Sequence, residues 1–110
     1  MNNIAYKILT AGQFADLQAG CFNGAPADIA DGYIHLSTAA QLAETLAKHF
    51  AGQTGLVIAA VDLAALGEKI RWEISRNDAL FPHLYGRLEA AHIIAARPLA
   101  WQPDGQVVLP

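Results

Sequence analysis

Residues 31–38 read DGYIHLST, and the fold turns on how this octapeptide is parsed. Tyr33, His35 and Ser37 alternate with Ile34 and Leu36, the period-two pattern of a short strand with two unlike faces. Ser37 or Thr38 then stands where a helix takes its N-cap, and Thr38 with Gln41 has capping-box spacing. Downstream, Ala39, Leu42, Ala43, Leu46, Ala47 and Phe50 recur at steps of three and four, which is one buried helical face. Gln41, Glu44 and Lys48 fall on the wet side. The spacing predicts a strand over Tyr33–Leu36 that runs directly into a capped helix.

On the N-terminal side, Ile4–Leu9 reads as a first strand with Ile4, Tyr6 and Ile8 on one face. Thr10 and Gln13 repeat the capping-box pattern before a helix carrying Phe14 and Leu17, which Gly20 stops. The stretch CFNGAPADIADG, residues 21–32, has no clear period and is predicted to be a loop, a candidate lid. On the C-terminal side, LVIAAV at 56–61 is apolar without alternation, the mark of a strand covered on both faces. Asp62–Gly67 suggests a helical turn and Ile70–Ile74 a further strand. SRNDALFPHLYG, 75–86, is predicted to be irregular, because Pro82 breaks a regular ladder and follows an aromatic residue, as in some cis bonds. Ala90–Ala96 reads as a strand, with helix as the rival that its Ala content allows, and Asp104-Gly105 as a hairpin turn into a last strand over Gln106–Leu109. This order of elements predicts an α+β fold, with mainly antiparallel strands and two main helices, over residues 1–110 as a single domain.

Composition narrows the function classes. With 54% hydrophobic and 15% charged residues the chain fills one core, although much of its apolar content is small Ala. A net charge of −3 and scattered Lys and Arg supply no basic footprint, so nucleic acid is not an expected partner. No apolar run reaches the roughly 20 residues that span a bilayer. The N-terminus lacks the pattern of a secretory leader and Cys21 has no partner thiol, so a cytoplasmic setting and an inert thiol are expected.

Three short segments carry the residues suited to chemistry. Tyr33, His35 and Ser37 share a face that ends at a helix N-terminus, where backbone donors favour an anion; the plain alternative is a cap beside a backbone-bonded imidazole. Arg71, Glu73 and Ser75 alternate with Trp72 and Ile74, and a mid-strand carboxylate is either solvated or paired for a purpose. Phe81, His83 and Tyr85 recur at period two, and aromatic rings beside an imidazole suit a flat ligand. His35, His49, His83 and His92 show neither HExxH spacing nor thiolate company, so no metal site is expected. His49 and His92 read as ordinary surface and strand residues. Phosphate-loop, dinucleotide and hydrolase-elbow motifs are absent from the sequence.

Together, Asp31-Gly32-Tyr33-Ile34-His35-Leu36-Ser37-Thr38, Trp72-Glu73, Phe81-Pro82-His83-Leu84-Tyr85-Gly86, Asp104-Gly105 and the closing Leu109-Pro110 resemble a bacterial family, domain of unknown function 952. The resemblance begins at Tyr6-Lys7-Ile8 and covers essentially the whole chain. It implies a fold like that of the ADP-ribosyltransferase superfamily, whose enzymes bind NAD in a cleft between two small sheets and transfer ADP-ribose. One branch uses a His-Tyr-Glu set in which His, within an H-x-S/T stretch, holds a ribose. His35-Leu36-Ser37 is similar to that stretch, while Tyr85 and Glu73 match the other two in type but in reverse chain order. The resemblance thus implies a nucleotide-like small-molecule ligand, with NAD as the cofactor or substrate to consider. His35 and Glu73 are the candidate catalytic residues, and Tyr33, Ser37, Trp72, His83 and Tyr85 the candidate ligand contacts. Two alternatives stand beside transfer chemistry: a binding module without turnover, and an interaction protein that associates through LVIAAV and AAHIIAA.

Overall fold

The computed structural model describes residues 3–110, so the reading of the N-terminus as leaderless lies in part outside the described residues. Six strands form two three-stranded antiparallel sheets among them. The first has the order β1 (Ile4–Leu9), β3 (Val57–Asp62), β6 (Ile93–Pro98). The second has the order β2 (Ile34–His35), β5 (Leu80–Leu84), β4 (Ile70–Ile74). Helices α1 (Ala11–Ala19), α2 (Pro26–Asp31), α3 (Leu42–His49) and α4 (Leu63–Leu66) complete the α+β arrangement.

The apolar run at 56–61 behaves as its lack of alternation predicts. β3 is the central strand of its sheet, and Ile58, Ala59, Ala60 and Val61 are all buried. Ala59 and Val61 join a core with Leu9, Leu36 and Leu84, whereas Ile58 joins a second one with Ile8, Leu42 and Leu46 of α3. The α1 capping box also forms, with Gln13 N–H donating to Thr10 Oγ1 and Thr10 N–H donating to Gln13 Oε1. Gly20, at φ 80°, closes that helix, a left-handed conformation that costs a Cβ-bearing residue more.

Four expectations are corrected. Residues 21–32 are irregular only over 21–25, because Pro26 opens the helix α2 and Gly32, at φ 84°, caps it. The segment around Pro82 is not irregular either: β5 is the middle strand of its sheet, and its peptide bonds are all trans. The ladder tolerates the proline because β2 ends beside it. Leu36 N–H donates to Pro82 O at 3.1 Å, but Pro82 has no N–H to return. Ser37 turns instead to the first sheet and exchanges two bonds with Tyr6, of 2.8 and 2.9 Å. The third correction concerns Ala90–His92, which form a 3-10 turn, so that the last long strand covers Ile93–Pro98. Finally, Gln106–Leu109 make only an isolated bridge, Val107 to Trp101, in place of a strand. No described helix is long and apolar enough to cross a membrane.

Candidate functional site

Strand register assembles the site. His35 of β2 lies directly opposite His83 of β5, and β4 sets Arg71 opposite His83 and Glu73 opposite Phe81. Alternation sends these side chains to one face. Tyr33 covers them, its ring centroid 4.1 Å from that of His83, 4.6 Å from His35 and 5.2 Å from Tyr85. Arg71 lies over the Tyr85 ring at 4.5 Å.

Each histidine is held by carboxylate, but differently. His83 Nδ1 is 2.8 Å from Glu73 Oε1, which also accepts from Tyr85 Oη at 2.7 Å. The Tyr85 and His83 hydrogen bonds hold the Glu73 carboxyl below its ordinary range, while the bond to Glu73 raises the Tyr85 phenol. His35 is engaged at both ring nitrogens, by Asp28 Oδ1 at 2.7 Å and Asp31 Oδ2 at 2.9 Å. Carboxylates only accept, so both contacts are hydrogen bonds when the ring carries both protons. Asp28 is buried against the ammonium of Lys7, 2.9 Å away, and takes further bonds from the N–H groups of Ala25 and His35. Burial by itself would push Asp28 up, but the His35 bond and the Lys7 charge outweigh it and bring the carboxyl down to about 2. Lys7 carries the cost of desolvation: burial lowers its ammonium despite Asp28. The Tyr33 phenol is raised by burial and by the charges of Asp31, Glu73 and Asp28.

A cavity of about 640 Å³ opens beside this cluster. Tyr33, His35 and His83 line it from the second sheet, and Ser37, Thr45 and Arg76 continue it toward α3. Arg76 is steadied there by Glu44 at 2.9 Å and by donation to Thr45 Oγ1 at 3.0 Å. The structure therefore brings together Tyr33, His35, Ser37 and His83. Glu73 and Tyr85 belong to the same cluster but are not among the lining residues; they reach the cavity through His83 and Tyr33. Trp72 is not brought in, since alternation turns it to the opposite, exposed face. No group of three or more His, Cys, Asp or Glu suited to a metal ion occurs among the described residues.

Sequence reasoning missed Lys7, Asp28, Asp31, Thr45 and Arg76, and it set His49 aside although that residue lines the cavity. One signal was available: Pro26 followed by Asp28 has the Pro-at-N1, acid-at-N3 pattern of a helix start. Asp28 occupies that position, accepting from Ala25 N–H at 2.8 Å.

A family model described as "Protein of unknown function (DUF952)" matches residues 8–96. The chain belongs to the DUF952 family. Protein CC0527 from Caulobacter crescentus, solved by X-ray crystallography, is 42% identical with a TM-score of 0.85, over 96% of this chain and 93% of that one. Its solution NMR structure superposes with a TM-score of 0.79 at 42% identity, over 96% and 91% of the two chains. No curated protein matches. For a DUF952 chain, then, the backbone arrangement is shared with a solved relative, and function is argued from the site itself.

Proposed function

We propose that the cavity binds a nucleotide-like small molecule, a ribose-bearing ligand of the kind exemplified by NAD and ADP-ribose. The observation that carries this reading is a single continuous lining, from Tyr33, His35 and His83 through Ser37 to Thr45 and Arg76. Its volume suits a ligand of this size, since such sites occupy roughly 300–1,000 Å³. The donor set fits the parts of the ligand. Tyr33 offers an aromatic face, Ser37 and the imidazoles offer partners for ribose hydroxyls, and Arg76 offers positive charge for phosphate. His35 contributes as a positioned ring, because Asp31 is exposed and its place on Nε2 is open to exchange with a ligand hydroxyl or oxygen. Two small sheets flanking a cleft, with His35-Leu36-Ser37 beside it, support the likeness to the ADP-ribosyltransferase-like fold.

A thermal-shift series with NAD, ADP-ribose and AMP tests the reading, because a ligand selective for the native state raises the melting temperature. Saturable stabilisation by at least one of these, with NMR perturbations at Tyr33 and His83, is expected. Loss of the shift in Ser37→Ala or Arg76→Ala places the ligand in this cavity. Absence of any shift at millimolar concentration removes the nucleotide assignment.

A further inference from the structure

We propose that His83 is the proton-accepting catalytic residue of this cavity, and that Glu73 is its positioning residue rather than a group that touches the ligand. The inference rests on the nucleotide reading above and assigns its chemistry to different atoms from those the sequence suggested. Glu73 Oε1 receives both His83 Nδ1 and the Tyr85 hydroxyl. An ionised carboxylate has no proton to give, so the proton in the His83–Glu73 contact sits on Nδ1. In the neutral ring that choice leaves the lone pair on Nε2, for which the described residues supply no partner. No fully buried side-chain nitrogen is left unpaired among them, so Nε2 reaches accessible space. The His83 side chain is only 4% exposed and lines the cavity, which directs that access inward.

The other histidines are less suited. Both nitrogens of His35 are taken by Asp28 and Asp31, and His92 accepts from Glu89 N–H on another segment. His49 lines the cavity, but no carboxylate among the described residues bonds its ring. Among the described residues only His83 combines a carboxylate-held Nδ1, burial and an open acceptor facing the cavity. A carboxylate behind an imidazole also stabilises the imidazolium that forms when the ring takes a proton.

The step this arrangement serves is hydrolysis of an N-ribosyl bond. A water oxygen bonds to the anomeric carbon as its proton passes to His83 Nε2, and the carbon–nitrogen bond breaks with its electron pair leaving on the heterocycle. With NAD the products are ADP-ribose and nicotinamide, and His83 later releases the proton to solvent. No oxidant or reductant is involved.

The test is nicotinamide release from NAD by the intact protein, run beside ADP-ribose binding. Wild type is expected to release nicotinamide, and His83→Gln to lower kcat by roughly 10²–10⁴-fold. Glu73→Gln should lower kcat by about 10³-fold or more through the wrong tautomer while leaving KM within about twofold. Imidazole added to His83→Gly should restore part of the rate. Nitrogen-15 NMR of wild-type His83 should show the proton on Nδ1, a readout that needs no variant to fold. Binding of ADP-ribose without nicotinamide release overturns the catalytic role and leaves the binding reading standing. Turnover by His83→Gln at the wild-type rate, or a proton found on Nε2, overturns it equally. No binding of either nucleotide removes both.

Discussion

Asp28 accepts from Lys7 Nζ, His35 Nδ1 and the backbone N–H groups of Ala25 and His35. A buried carboxylate with this many donors is nearly saturated, and removing its charge strands the Lys7 ammonium in a low-dielectric site. Asp28→Asn is therefore expected to lower unfolding free energy by about 2–4 kcal/mol in urea titrations at neutral pH. The pH dependence follows from the shift from 3.8 to about 2. A carboxyl depressed on folding contributes its stability in full above its unfolded value, and that contribution is lost as pH falls through the folded value. The gap between wild type and Asp28→Asn should thus be flat above pH about 5 and shrink by about 2 kcal/mol on descending toward pH about 2. A gap that stayed constant across the acid range would show that the carboxylate is not what holds the cluster.

At the scale of elements, α2 sets Asp28 and Asp31 against β2, and its seat is narrow. Gly24 lies at φ 116°, and a Cβ there would come within 3.1 Å of Asp28 Cβ. Gly24→Ala combines backbone strain with displacement of the carboxylate, so a loss of about 2–3 kcal/mol is expected. Gly12 is its control: it sits in α1 with nothing within 4 Å of an added Cβ, and Gly12→Ala should gain about 0.5 kcal/mol. Differential scanning calorimetry of the pair checks both signs, and equal melting temperatures would refute the packing argument. These elements also mark how far the sequence could be read. Period and caps located α1, β3 and β4, because each signal there is local. Alternation assigned Glu73 and Arg71 to one face and Trp72 to the other, as the structure has them. It failed at Lys7, whose strand is covered on both faces, so that a residue opposite the Ile8 row is also inside. It failed at β5 too, because a proline is excluded from a middle strand only where the neighbouring strand continues past it.

The molecule as a whole depends on a seam between its sheets, and this was the part least visible in the sequence: a bridge between residues 6 and 37 leaves no periodic trace. Tyr6 and Ile8 of the first sheet line the cavity together with His35, Phe81 and His83 of the second, so the seam also sets the shape of the site. Ser37 allows its two roles to be separated. Ser37→Ala keeps the N–H that donates to Tyr6 O at 2.9 Å and removes only an Oγ whose partner, Thr45, is 3.4 Å away. Its stability should stay within about 0.5–1 kcal/mol of wild type, while nucleotide-induced stabilisation weakens. Ser37→Pro removes the N–H and leaves the carbonyl of the half-buried Tyr6 without its donor beside the buried Ser37, which should cost about 1–3 kcal/mol or more. Because that loss falls on the joint itself, amide exchange at Tyr6 and Leu36 should accelerate before exchange in β3. If Ser37→Pro exchanged these amides at the wild-type rate with an unchanged urea midpoint, the two sheets would be held together by their shared apolar core alone, and the octapeptide would lose its part in shaping the cavity.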